Sequence, residues 1–208
     1  MFSPGENTFY IMAQNLKYGY LEGISPEEYQ TDFNWRKAGV AYQVIPQTAR
    51  AAGMIPSLKH LETIVRRDPA YTNSAIAAFA VHDLNLWASS LNISMVDRYW
   101  KIRKDFNIDQ AADYVGYWRA DCPVKSASPK VYCGCYLWSR PAPYRCVLVI
   151  SNFNRQAVPL RLQIDWQKLK LDPRRAALTD LWTQKPIRPD ELSGRPLSGA
   201  SFLLLGVR

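Results

Sequence analysis

The chain has 208 residues, 48% hydrophobic, 12% aromatic and 21% charged, which suits one large globular domain or two small ones and excludes a disordered chain. No apolar run approaches the ~18 residues of a membrane helix, and the opening Met-Phe-Ser-Pro-Gly-Glu carries neither the basic nor the apolar region of a signal peptide, so no membrane partner is expected and the compartment stays open, a secreted or periplasmic parent included. The net charge of +8 divides into +1 for residues 1–105 (11 basic, 10 acidic) and +7 for residues 106–208 (15 basic, 8 acidic), but it is dispersed, which points to a solvated basic surface rather than a nucleic-acid partner.

In chain order, Asn7–Gln14 (NTFYIMAQ) reads as a short strand. Ser25-Pro26-Glu27-Glu28 gives a helix start, with Ser as N-cap and Pro in the first turn, and the helix should reach Ala38 and stop at Gly39. Val40–Ile45 is strand-like. A second helix is expected over Ser57–Arg67, stopped by Asp68-Pro69. Ala75–Val81 is apolar enough to be buried as strand or helix, and periodicity does not decide between them. Ser94 to Asp97 repeats the capping-box logic for a helix through Asp105.

Alternation of strand and helix predicts α/β units with a parallel sheet or barrel. Residues 1–105 hold only two or three such units, whereas a closed barrel needs eight in about 250 residues.

The second half changes character. Val131–Trp138, Arg145–Ser151, Val158–Asp165, Ala176–Leu181 and Ser201–Val207 read as short strands, separated by turn material such as Pro141-Ala142-Pro143 and Ser193-Gly194. That spacing predicts an antiparallel β-sandwich. The boundary falls between about 106 and 125, giving an incomplete (β/α) barrel segment over 1–115 and a β-sandwich over 116–208.

Cys122, Cys133, Cys135 and Cys146 follow a C-x10-C-x-C-x10-C pattern that matches no common zinc motif. Three readings stay open: buried small hydrophobes, a disulfide, or a metal site. On a strand Cys133 and Cys135 share one face, and Tyr132, Tyr136 and Trp138 share the other. With Trp166 and Trp182 these rings form either a sugar-stacking platform or core.

Several segments in order carry a family resemblance: Arg50-Ala51-Ala52-Gly53-Met54-Ile55-Pro56, His82-Asp83, Phe106-Asn107-Ile108 leading to Gly116-Tyr117-Trp118, Leu148–Asn152, and Asp180-Leu181-Trp182-Thr183. Together they resemble the C-terminal portion of large bacterial glycoside-hydrolase-like proteins. The resemblance implies an N-terminal β-domain, a (β/α)8-type catalytic barrel and a C-terminal sandwich, with most of the barrel upstream of Met1. It also implies a carbohydrate substrate, the upstream barrel portion as partner within one polypeptide, and no cofactor.

Glycoside hydrolysis uses two carboxylates flanking the scissile bond, and here the catalytic pair stays unassigned. Glu27, Glu28, Asp32 and Glu62 fall on predicted helix surfaces, while Glu6, Asp68 and Asp105 fall at loops or helix ends. Asp83 follows His82 and precedes Trp87, grouping a carboxylate, a proton carrier and a stacking ring that together suit a sugar. It serves equally as N-cap of a helix over Leu84–Ser90, and His82 as a hydrogen-bonded core histidine. Arg50 either binds substrate oxygens or joins a structural ion pair. The substrate-binding candidates are thus Asp83, His82, Trp87 and Arg50. No G-x-S-x-G, Walker A, G-x-G-x-x-G or H-E-x-x-H motif is present. Two other readings keep a place: a stand-alone carbohydrate-binding or interaction module built on the sandwich, and a basic module for an acidic polymer.

Overall fold

The computed structural model describes the backbone of residues 19–24 and 54–58, and residues 68–83, 91–108, 112–138 and 143–208 in full. Strands β1 (Gly19–Ile24) and β2 (Met54–Leu58) pair in parallel, Gly19 opposite Met54 and Ile24 opposite Leu58. The strand expected over Asn7–Gln14, the helix from Ser25 and the strand Val40–Ile45 lie outside the described residues. Of the helix expected over Ser57–Arg67, Ser57 and Leu58 instead belong to β2, because pairing with β1 holds them extended.

Asp68-Pro69 starts a helix, and residues 59–67 before it lie outside the described residues. Helix α1 (Pro69–Ala80) has Asp68 as N-cap, its carboxylate accepting from the Ala70 N–H at 3.0 Å, and Pro69 sits where a missing N–H costs nothing. This decides Ala75–Val81 as helix. Ala75 through Val81 are all essentially unexposed, so the helix is buried all round and shows no amphipathic period. Helix α2 (Ile93–Asp105) is capped by Asn92, whose side chain accepts from the Met95 N–H, while Ser94 donates to Asn92 at 2.7 Å. The cap therefore lies two residues before Ser94. Val96, Tyr99 and Arg103 form its inward stripe at helical spacing.

Ten further strands follow in chain order: β3 (Ala112–Val115), β4 (Val124–Ser126), β5 (Val131–Trp138), β6 (Cys146–Asn152), β7 (Val158–Pro159), β8 (Leu162–Ile164), β9 (Leu178–Asp180), β10 (Lys185–Ile187), β11 (Pro196–Leu197) and β12 (Ser201–Val207). One-turn helices α3 (Trp166–Leu169) and α4 (Pro189–Leu192) punctuate them. The main sheet has six strands in the order β10-β9-β12-β6-β5-β3, antiparallel throughout. The run Val158–Asp165 divides because its two ends pair with different partners, β7 with β11 and β8 with β4. Mostly antiparallel, with few helices, the architecture is compatible with a β-sandwich.

Both faces of the sheet are covered, which explains why β6 and β12 are buried at every residue instead of alternating. On one face Tyr136, Trp138, Val147, Val149, Phe202 and Leu204 form a core with Ile76 and Phe79 of α1 and Val96, Tyr99 and Ile102 of α2. On the other, Cys133, Cys135, Cys146, Leu148, Ile150, Leu203 and Leu205 join Cys122, Leu160 and Leu169. All four cysteines are buried free thiols on this second side, and burial raises the pKa of Cys122, Cys133 and Cys135. Among the described residues no group of three or more His, Cys, Asp or Glu is arranged to hold a metal ion, and no helix is long and apolar enough to cross a membrane.

Side-chain bonds lock the helical layer to the sheet. Ser151 of β6 donates to the Ala77 carbonyl of α1 at 2.7 Å, and Asn73 of α1 donates to the Ala200 carbonyl before β12 at 3.1 Å. Strand β3, which ends at Val115, is the edge of the same sheet, so residues on both sides of position 115 share one hydrogen-bonded ladder.

Candidate functional site

His82 and Asp83 sit on the turn that ends α1, with Val81 as its C-cap. Asp83 adopts a left-handed φ of 54°, a conformation that Asp tolerates better than most residues. A carboxylate at a helix C-terminus opposes the helix dipole, so it needs a cation, and α2 supplies one. Arg103 lies 3.1 Å from the Asp83 carboxylate, and the two side chains are 7% and 8% exposed. Tyr136 of β5 donates its hydroxyl to the same carboxylate oxygen at 2.6 Å, while Arg103 donates to the hydroxyls of Tyr99 and Tyr136 at 3.0 and 2.9 Å. The guanidinium also stands over both rings, 5.6 Å from the centroid of Tyr99 and 5.5 Å from that of Tyr136. Burial holds the Tyr136 hydroxyl well above its ordinary pKa, with Arg103 opposing the shift. It stays a neutral donor.

His82 is fully buried. Its Nδ1 lies 2.6 Å from the Ala78 carbonyl, which accepts and so fixes the proton on Nδ1, and its Nε2 receives the Tyr117 hydroxyl at 3.1 Å. Desolvation lowers its pKa to about 4, against the smaller upward pull of the bond to Ala78. The ring stacks on Trp118 with planes 6° apart. Beside it, Tyr114 of β3 donates to the Val81 carbonyl at 2.6 Å and reaches across Gly134, where a Cβ would lie 1.9 Å from the Tyr114 hydroxyl.

Asp83 and His82 are therefore brought into one buried polar layer between helices and sheet, whereas Trp87, Arg50 and the proposed helix over Leu84–Ser90 lie outside the described residues. The layer's chemistry is that of a satisfied network: a charge pair with tyrosine hydroxyls on its remaining positions, and a histidine neutral at physiological pH. Sequence reading did not find Arg103 or Tyr136 as partners of Asp83. The signal available was Tyr136 on the face opposite the cysteines and Arg103 four residues after Tyr99.

The rings considered for a sugar platform separate. Tyr136 and Trp138 are core residues, 2% and 7% exposed. Trp182 packs edge-on against Phe202 with Arg98 over its face, and Trp166 flanks the thiol-side core. Tyr132 pairs with Tyr117, ring centroids 4.9 Å apart. The basic cluster at 101–104 is also divided, Lys101 pairing with Asp105 at 2.6 Å while Arg103 turns inward.

Residues 96–185, from the first turns of α2 to the start of β10, match the family model of the glycoside hydrolase 123 C-terminal domain. Over this stretch the chain is similar to the end of a glycoside hydrolase. The match supports the resemblance read from the sequence, to a C-terminal portion of a glycoside-hydrolase-like protein. The glycoside hydrolase 123-like segment contains Arg103, Tyr114, Tyr117 and Tyr136 but begins after His82 and Asp83, so the ion pair joins it to the chain that precedes it. No curated protein matches the chain.

Proposed function

We infer that the chain is the C-terminal portion of a carbohydrate-active glycoside hydrolase. The sheet and its helices buttress the end of a (β/α)8-type barrel, and the catalytic carboxylates belong to barrel strands upstream of Met1. The observation that carries this reading is the match of residues 96–185 to a glycoside hydrolase C-terminal domain. The parallel pair β1–β2 supports it, since parallel pairing with the intervening residues 25–53 is what successive barrel units require. On this reading residues 1–115 end the barrel and 116–208 form the sandwich, whose partners are the upstream barrel and, through it, a carbohydrate substrate.

Asp83 and His82 then act as positioning residues. Their network ties the turn after α1 to α2 and β5, and so fixes how the chain leaving the barrel meets the sheet. The test is the coding DNA upstream of Met1, followed by assay. The expected result is an in-frame extension long enough for the rest of a barrel, and turnover of aryl glycosides by the longer chain but not by the 208-residue chain. A ribosome-binding site and stop codon immediately upstream, or full turnover by the 208 residues, would overturn the reading.

A further inference from the structure

We propose that the flank of the sheet carries a binding pocket for an acidic saccharide, with the sugar's carboxylate or sulfate held between Lys125 and Lys130 and its ring against Tyr117 and Tyr132. The pocket lies between β4 and the start of β5 and has a volume of about 350 Å³, within the ~300–1,000 Å³ range of small-ligand sites. Its charge is one-sided. Among the described residues two lysines line it and no Asp or Glu does.

Both lysines are exposed, and neither ammonium group has a hydrogen-bond or ion-pair partner among the described residues. Arg119, Lys168 and Arg188, by contrast, each have a local acid: Asp121, Asp165 and Glu191. Lys125 occupies the middle of β4, opposite Gln163. Lys130 ends the turn into β5 at a φ of 53°, a left-handed conformation that costs a residue with a Cβ and persists where its surroundings hold it. They do: the Lys130 carbonyl accepts from the Phe153 N–H at 2.8 Å, and Val131 N–H bonds to the Ser128 carbonyl.

The rest of the lining shapes the pocket. Ser128 donates to the Pro159 carbonyl at 2.7 Å and accepts from the Arg161 N–H, while Ser126 accepts from the Ser128 N–H. These hydroxyls fix the loop, leaving the ammonium groups as the donors for a ligand. The Tyr117 hydroxyl is committed to His82, which fixes the ring's orientation. Tyr117 and Tyr132, tilted 47° to each other and half-buried, offer apolar ring surface to a pyranose. A bare anion needs only the lysines, whereas a neutral sugar needs only the tyrosines. The pocket offers both together, which selects a ring carrying a negative group.

The proposal does not rest on the upstream barrel, so its failure and that of the proposed function are distinguishable. The test is calorimetric titration of the 208-residue chain at low salt with trigalacturonate, a sulfated disaccharide, maltotriose and inorganic sulfate. Binding of at least one acidic saccharide is expected, weakening as salt is added and falling at least about tenfold in Lys125→Gln/Lys130→Gln. Because both lysines are exposed and unpaired, that variant should melt like the parent, which separates lost binding from lost fold. The acidic sugar that binds identifies the group as carboxylate or sulfate. No binding of either acidic saccharide at ~1 mM, equal binding of maltotriose, equal binding of inorganic sulfate, or binding unchanged in the double variant would each overturn it.

Discussion

Asp83 and Arg103 meet at 3.1 Å with each side chain less than a tenth exposed, one on the turn that ends α1 and the other in the last turn of α2. Taking both charges out of water is costly, and the Coulombic gain offsets that cost only while both are present. Tyr99 and Tyr136 satisfy the donors that the pair alone leaves unmet.

Asp83→Asn should therefore lower stability by about 3 kcal/mol, since it leaves the Arg103 charge buried without its counter-ion. Asn fits the left-handed φ and keeps an acceptor for Tyr136, so the loss reads the charge rather than the geometry. Chemical denaturation measures it, and a double-mutant cycle with Arg103→Met should show coupling of at least about 1 kcal/mol. An Asp83→Asn variant that melts like the parent would remove Asp83 from the structural network and return it to the substrate-binding candidates.

His82 makes stability depend on pH. Its folded pKa, about 4, lies below the ordinary value of 6.5, so the unfolded chain takes up the proton first as pH falls. Its contribution is complete above about pH 6.5 and is lost progressively towards pH 4, amounting to roughly 3 kcal/mol across that window. Urea midpoints measured from pH 7 to pH 4 should show the slope, and His82→Gln should flatten it.

Asn152 of β6 donates to the carbonyls of Gln156, Leu197 and Ser198 at 2.9–3.1 Å and accepts from the Asn154 N–H. Asn152→Ala should cost about 2–3 kcal/mol by leaving buried carbonyls unpaired. Asn152→Asp, nearly identical in shape, should cost more, because a carboxylate oxygen would face those carbonyls in place of the amide. Paired thermal melts give the order, and the prediction fails if Asp is the milder change.

Gly134 lies under Tyr114, and a Cβ there would stand 1.9 Å from the hydroxyl and 2.5 Å from the ring. Gly134→Ala should destabilise by about 1–3 kcal/mol, the range for overpacking a filled core, because the ring cannot move without breaking its bond to Val81. The double change Gly134→Ala/Tyr114→Phe should recover little, since the ring atoms still collide.

Legibility from sequence followed the range of the forces involved. Val131–Trp138 and Ser201–Val207 were readable to the residue, because long apolar strands bounded by turn residues announce themselves. Strands β3, β4, β10 and β11 were not readable, being two to four residues long and formed where a partner edge is available. Asp68-Pro69 was legible as a helix boundary, and its role as the start of α1 rests on the bond from Ala70 to Asp68. In the candidate site, the burial of His82 was legible as one of two readings. The partners of Asp83 were not, since Arg103 and Tyr136 lie 20 and 53 residues away in sequence.

Strand β12 sits between β6 and β9, so the middle of the sheet is the part of it that the ribosome makes last. Ser201 pairs with Asn152 and Val207 with Cys146, contacts that close only after roughly fifty to sixty intervening residues have been synthesised. Until then β6, apolar on both faces, presents an open edge to any neighbouring nascent chain. A polysome carrying this message is therefore crowded with matching unpaired edges, and the yield of folded protein should depend more on chaperone supply and translation speed than on the stability of the finished molecule.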